Sequence, residues 1–352
     1  INEAGTGPYM IDVYVPMETY KLKRYDNYWG GPPELNLPEP KFDEIIFLPV
    51  VEEADARMKL ETGELQVLWD VLPETIDAYR DRAGFVTTVA PGVTVMGFWM
   101  HTAKGPLSDW RVRKAIKMAL DYDSFANDVM LGTAYVCQGA FYYNAPGAEE
   151  TAHYFPGAQF DEANALLDEA GYPVQSDGWR FHLDLYVRPA PRFGMSFIDF
   201  GLKVKDDLAK VGIDVTLKVY EVGEYYQIMM DPSCPEGAWL VPGGVVVKTE
   251  PFFYWGAYTI TGGTHYFGFN STTQPDIWNY ANQTYFEICR EPDPEKRLAM
   301  WQDFDAYMLE YGPAVNLVQN GDRYIYTEKV KNFFPGGLKW LWPAIFWMDI
   351  ED

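Results

Sequence analysis

Four histidines, three cysteines and a few adjacent carboxylates are the residues of this chain best equipped for chemistry, and their spacing argues against it. His101, His153, His182 and His265 stand apart, without the H-x-x-x-H interval that sets two imidazoles on one metal. Cys137, Cys234 and Cys289 contain no C-x-x-C, which excludes a zinc knuckle and a disulfide framework. One pair could bridge in an exported protein, leaving the third thiol over. Glu52-Glu53 and Asp206-Asp207 are neighbours on expected helices, where side chains diverge by about 100°, so they read as solvated faces. A glycosidase needs two carboxylates facing one sugar, an arrangement of three dimensions that sequence spacing does not test. There is no G-x-S-x-G elbow, P-loop or G-x-G-x-x-G. Gly243-Gly244 and Gly262-Gly263 lack a following Lys or a capped helix and read as turns. The expectation is a protein with no catalytic residue, no metal and no cofactor.

The positive signal is aromatic. Phe, Trp and Tyr make up 16% of the chain, beyond what a core of this size requires. They gather in Phe141-Tyr142-Tyr143, Phe252-Phe253-Tyr254-Trp255 and Trp340-Leu341-Trp342. Rigid rings offer a large contact area at small entropic cost and stack on sugars, peptide planes or other rings. Most rings in any protein pack its core. From loop position and residue type, Trp99, Tyr142, Tyr143 and Trp255 are the candidates for stacking on a ligand. Asn144 and Lys248 are the candidates for polar contacts.

The elements that must position these residues are those of a mixed α/β protein. Tyr9–Val15 and Tyr20–Arg24 read as a hairpin, and Asn27–Pro40 as loop. Glu44–Leu48 reads as a strand, Glu53–Thr62 as a helix stopped by Gly63, and Leu65–Trp69 as another strand. Ser108-Asp109 caps Trp110–Leu120, whose Val112, Ala115, Ile116 and Ala119 form one apolar face. A second short helix is expected over Asp123–Leu131 and a surface loop over Cys137–Pro156. Asp161–Ala170 follows as a helix. Phe181–Val187, Phe197–Val211 and Ile213–Val219 then make a β-α-β unit. Glu295–Tyr311 reads as an amphipathic helix, and the last forty residues as short strands.

At 352 residues the chain is long enough for two domains, and no apolar run reaches the roughly 20 residues of a membrane span. The formal charge of −23 argues against nucleic acid and against docking on anionic lipid. It fits a dispersed monomer, or a salt-rich habitat. Ile1-Asn2-Glu3-Ala4 carries no secretion signal, so export would require one removed or lying upstream.

Several passages, in order, resemble the family of extracellular solute-binding proteins that includes the oligopeptide-, dipeptide- and nickel-binding proteins. Gly5-Thr-Gly-Pro-Tyr9, Lys21-Leu-Lys-Arg24 and Asn27-Tyr-Trp-Gly-Gly31 are similar to its GTGPY…L.RN..YWGG block. Ala54-Asp-Ala-Arg57 with Leu60-Glu-Thr-Gly-Glu64 is similar to D..AR...L.sGEvD, and Pro106–Asp121 to PF.D.RVR.Al..AiD. Asp161–Tyr172 resembles A..LL.eAGY, and Lys210–Val215 the lkkiGI.v link. The resemblance implies a type II, two-lobed periplasmic-binding-protein-like α/β fold of the large peptide-binding class, with a hinge that closes around a solute. Residues 1–98 and 322–352 would be the first lobe and 99–321 the second. In the family the GTGPY block falls well into the chain, so about the first third, with part of the first lobe, is expected to be missing before Ile1.

By the same resemblance the protein captures an oligomeric solute, peptide or oligosaccharide, and delivers it to the permease of an ABC importer. It would work in the periplasm or at the cell surface, with room for a lipid anchor upstream. In peptide-binding members an Asp shortly before an (N/D)-x-P turn pairs with the ligand's α-amino group. Counting back from Glu250-Pro251 puts Val247 at that place, with Lys248 beside it. A buried ammonium without a carboxylate is costly, so this favours an oligosaccharide, an uncharged or anionic solute, or a peptide held by its backbone. Lys248 meets a carboxylate or points into solvent. The alternatives are a secreted glycoside hydrolase with an aromatic cleft, and a family member that presents ligand to a partner without import.

Overall fold

The computed structural model describes residues 5–31, 33–35, 37–50, 52–143, 145–229, 231, 236–243, 254–256, 266–333 and 347–351. The chain divides into two compact units, one of residues 1–90 with 322–352 and the other of residues 91–321.

In the first unit, β1 (Tyr9–Val15), β2 (Thr19–Arg24) and β3 (Glu44–Phe47) form an antiparallel sheet in that order. The β1–β2 hairpin turns through Met17, which takes a left-handed φ of 60°. Helix α1 (Glu53–Glu61) ends where Gly63, at φ 80°, returns its N–H to the Leu60 carbonyl. Strand β4 (Val67–Trp69) pairs antiparallel with Tyr324–Tyr326. Where one helix was expected in this stretch there are two: α2 (Pro73–Tyr79) opens on a proline, whose missing N–H costs nothing in the first turn. Leu60, Val71, Ile76, Tyr79 and Ile325 make this unit's core.

The second unit is built on the C-terminal part of β5 (Phe85–Met100), on β6 (Ala134–Val136), β7 (Phe181–Val187), β8 (Ile213–Val219) and β9 (Ala238–Gly243), and on the start of β10 (Ala314–Thr327). β7 lies parallel between β8 and β9, and β9 pairs antiparallel with β5. Helices α3 (Trp110–Ala119), α4 (Phe160–Glu169) and α5 (Phe197–Ala209) bury Val112, Ile116, Leu167, Phe200 and Val204 with Phe98, Met100, Leu185 and Leu240 of the sheet. α5 is the crossover of the expected β7–β8 unit. The short helix expected at Asp123–Leu131 is a single turn, Tyr122–Ser124, running into a wider π turn, Phe125–Val129. Helix α6 (Val222–Met229) follows β8. Helices α7 (Pro275–Arg290) and α8 (Pro294–Tyr311) pack Ala281, Tyr285, Ile288, Trp301, Phe304 and Met308 into a second core.

The Asp109–Lys117 passage proves to be scaffolding. The Asp109 carboxylate caps α3, accepting the Arg111 N–H at 2.8 Å. Arg113 is buried and donates to the carbonyls of Leu107, Ser108 and Tyr311 at 2.9, 3.0 and 2.6 Å. Lys117, also buried, donates to the Leu309 and Gly312 carbonyls at 2.5 and 2.9 Å. Two cations thus satisfy the orphan carbonyls at the end of α8, where the helix dipole favours them. Burial pushes Arg113 down to about 9 and Lys117 well below the usual lysine range.

Candidate functional site

Strand register sets one aromatic row in the second unit. Tyr186 of β7 is opposite Trp239 of β9, which is opposite Trp99 of β5. Side chains alternate along a strand, so these three rings share one face while Phe98 and Met100 feed the other. Tyr186 stacks on Trp239 with centroids 4.3 Å apart. Tyr225 of α6 meets Trp239 edge-on at 5.2 Å, and Phe267 stacks on Trp99 at 5.8 Å.

The row continues through a helical turn at 254–256. Tyr254 lies 5.7 Å from Trp99 and 4.9 Å from Trp255, so the ladder Trp99–Tyr254–Trp255 joins two aromatic clusters. A polar spine runs beside it. The Tyr254 hydroxyl donates to Asn316 Oδ1 at 2.9 Å, and Asn316 Nδ2 donates to the Gly139 carbonyl at 2.6 Å. The Trp255 indole N–H donates to Asp305 Oδ1 at 2.7 Å, and that carboxylate also accepts the Ala140 N–H at 3.0 and 3.1 Å. Asp305 is fully buried. Burial pushes its carboxyl up to about 6, although the Ala140 N–H and the Trp255 indole favour the ionised form.

The spine leads into the segment carrying Tyr142 and Tyr143. The Tyr143 N–H donates to Gln319 Oε1 at 2.5 Å, and Gln319 Nε2 donates to the Gly92 carbonyl at 2.6 Å. The Tyr143 ring is 43% exposed and stacks on Tyr135 with centroids 4.2 Å apart. The next residue of β10, Asn320, donates to the Phe193 carbonyl at 3.0 Å and so ties down the loop after β7. That loop holds Arg188 and Arg192. Arg188 is buried and donates to the carbonyls of Ala190 and Pro191, each at 3.0 Å. Half-buried Arg192 donates to the Tyr226 hydroxyl at 2.5 Å and lies 4.8 Å from the Phe193 ring centroid. Neither arginine has a carboxylate partner among the described residues.

Of the residues singled out from sequence, Trp99 and Trp255 are brought together through Tyr254. Each is only 1% exposed and spends its faces on neighbouring rings. Tyr142 is half-buried and Tyr143 exposed, on one segment. Asn144 and Lys248, with Val247 and the Glu250-Pro251 anchor, lie outside the described residues, as do Cys234, His265 and Trp340–Trp342. Cys137 is a buried thiol, and Cys289 is exposed and not bonded to it. No group of three metal-binding side chains occurs among the described residues, and no described helix is long and apolar enough to cross a membrane. Sequence reasoning missed Asp305, Asn316, Trp239 and Arg192. Only Asp305 carried a signal: it stands on the apolar stripe of α8, four residues after Trp301 and three before Met308.

Comparison with known proteins places this architecture. Residues 2–235 match the family described as bacterial extracellular solute-binding proteins, family 5 Middle, and the chain belongs to that family. It is 27% identical over 237 residues to the dipeptide-binding protein of Escherichia coli K12, covering 66% of this chain and 41% of that one. It is 23% identical over 247 residues to the nickel-binding periplasmic protein of the same strain, covering 64% and 43%. The chain thus spans about two fifths of the length of these curated relatives. NikA from Brucella suis, in complex with Fe(III)-EDTA, superposes with a TM-score of 0.82 at 19% identity, over 99% of this chain and 68% of that one. A putative peptide-binding protein, AppA from Clostridium difficile, gives 0.79 at 17%, over 98% and 67%. The fold is the mixed α/β fold of the two-lobed periplasmic binding proteins, as the sequence resemblance implied.

Proposed function

We propose that this chain is part of an extracytoplasmic binding protein that captures a short peptide or related anionic solute and passes it to the permease of an ABC importer. The reading takes 1–98 with 322–352 and 99–321 as its two lobes, and assigns the protein no catalytic step of its own. Family membership supports the class. The peptide-binding relatives and neighbours, such as the dipeptide-binding protein of Escherichia coli K12, support the solute.

The observation that carries the solute class is Arg192. In a chain of formal charge −23 it has no acid partner among the described residues. Its one side-chain hydrogen bond among the described residues, to Tyr226, leaves most of its guanidinium donors for a planar anion. A terminal carboxylate fits that fork in a bidentate way. The test is calorimetric titration of the full-length protein with di- to pentapeptides and with the same peptides amidated at the C-terminus. Amidation, and separately Arg192→Gln, should each weaken binding by about tenfold or more. Equal affinity for acid and amide would sink the assignment.

A second reading, an oligosaccharide, is favoured by the Tyr135–Tyr143 stack, which offers an exposed ring for a sugar face. Cello-, manno- and xylo-oligosaccharides belong in the same titrations. Binding lost in Tyr143→Ala but kept in Arg192→Gln would select it, and release of shorter sugars would revive the hydrolase alternative.

A further inference from the structure

We infer that Asp305 is the positioning residue of this site: its buried carboxylate holds the Ala140–Tyr143 segment and the Trp255 ring in one fixed arrangement. The inference rests on the reading above only for its consequence, that this segment meets the solute.

Three lines of geometry converge on it. A fully buried carboxylate is expensive unless it is hydrogen-bonded. Asp305 has no cation partner among the described residues, so its donors must offset that cost. Those donors come from outside its own helix: the Ala140 N–H and the Trp255 indole. One side chain of α8 therefore fastens the 137–143 segment and the 254–256 turn together. Close approach confirms how tightly they meet. A Cβ on Gly139 would fall 2.0 Å from Asp305 Oδ2 and 2.8 Å from Thr151 Oγ1, so the segment sits where only glycine fits.

The surroundings keep the tie undisturbed. α8 itself contributes Trp301, Phe304 and Met308 to this core, and α7 contributes Ala281, Tyr285 and Ile288. From the 137–143 segment the titratable neighbour is Cys137, which donates to the Phe141 carbonyl at 3.0 Å and is pushed up by burial and by Asp305. It stays a neutral thiol. From the turns come Thr151 and Trp255, neither of them charged. Proton exchange at this point therefore belongs to Asp305 alone among the described groups that face it.

A purely structural carboxylate would stabilise the whole unit evenly, whereas a positioning one acts on two named places. Amide hydrogen exchange on the full-length protein, without solute, separates these, with Ile288→Ala as a destabilised control in the same core. In Asp305→Asn, exchange of the peptide covering 137–143 should quicken by about tenfold or more while β7 and α7 keep their protection. Exchange in that peptide no faster than in Ile288→Ala would overturn the inference. The second readout needs no substitution at Asp305. The fluorescence difference between the wild type and Trp255→Phe should titrate with a midpoint near the 6 to which Asp305 is raised, because the indole N–H points at that carboxylate. A flat difference between pH 4.5 and 7.5 would equally overturn it. Neither measurement depends on which solute is bound, so failure here is distinct from failure of the peptide reading.

Discussion

Asp305 links folding to pH through burial. Its ordinary value of 3.8 rises to about 6 in the folded protein. Well below pH 3.8 the carboxyl is protonated in both states and carries no penalty. As pH rises through 6 the folded protein must ionise it at a cost the unfolded chain escapes, so stability from this group is present in acid and lost by neutrality. The shift corresponds to about 3 kcal/mol. Urea unfolding of the wild type and Asp305→Asn from pH 4 to 7 should therefore show the difference moving in the variant's favour by an amount of that order. Parallel profiles would mean that the carboxyl titrates as an ordinary one. At this scale the sequence was half legible. The aromatic enrichment pointed to Trp99, Tyr142, Tyr143 and Trp255, and the structure brings Trp99 and Trp255 together through Tyr254. It could not say that Trp99 and Trp255 are covered, because burial depends on Phe267, Phe304 and Tyr254 arriving from distant parts of the chain. Nor could it find Arg192, whose lack of an acid partner among the described residues is a fact of three dimensions.

Among elements, the contact of α3 with the end of α8 is the most exposed to single substitutions. Lys117→Ala would leave the Leu309 carbonyl without its donor, weaken the hold on Gly312 and open a cavity under α3. The expected loss is about 3 kcal/mol or more, read from denaturant midpoints at unchanged slope. A loss under about 1 kcal/mol would mean that Arg113 alone closes the helix. The aromatic row offers a paired comparison. Trp239 is buried with its indole N–H unpartnered among the described residues, so Trp239→Phe gives up packing and no hydrogen bond to them. Trp255→Phe also takes a donor from a buried carboxylate and should cost about 1.5–3 kcal/mol more. Equal losses would show that Asp305 does not depend on the indole. Elements with one clean period were legible: Phe181–Val187 and Ile213–Val219 alternate, and both strands occur with those bounds. β5 was not, because Pro91 and Gly92 punctuate a strand that continues through them for 16 residues. β10 was expected as short strands because Asn316, Gln319, Asn320 and Arg323 interrupt its apolar run. Each is buried and bonded to a distant carbonyl, of Gly139, Gly92, Phe193 and Val71, which no local pattern reveals.

For the molecule as a whole, the charge of −23 is the property that sequence states outright and structure only qualifies. Two effects of salt oppose one another. Surface pairs such as Lys21–Glu44 at 2.7 Å and Arg24–Asp43 at 2.8 Å weaken as ions screen them, but exposed pairs contribute about 0–1 kcal/mol each. Self-repulsion among 51 acidic side chains facing only 28 basic ones is relieved by the same screening. At 0.01 M salt the Debye length is about 30 Å, so repulsion reaches across a unit, and at 1 M it is about 3 Å. The long-range term has far more members than the local one, so repulsion should win. The thermal midpoint of the full-length protein is therefore expected to rise by several degrees between 0.01 and 1 M NaCl, most of it before 0.3 M. Scanning calorimetry over that series, repeated with Na2SO4 to separate screening from preferential exclusion, measures it. A midpoint that falls with NaCl would show that the ion pairs outweigh the net charge. A rise that continues steeply beyond 1 M would mark a protein fitted to high salt rather than one merely kept dispersed by its acidity.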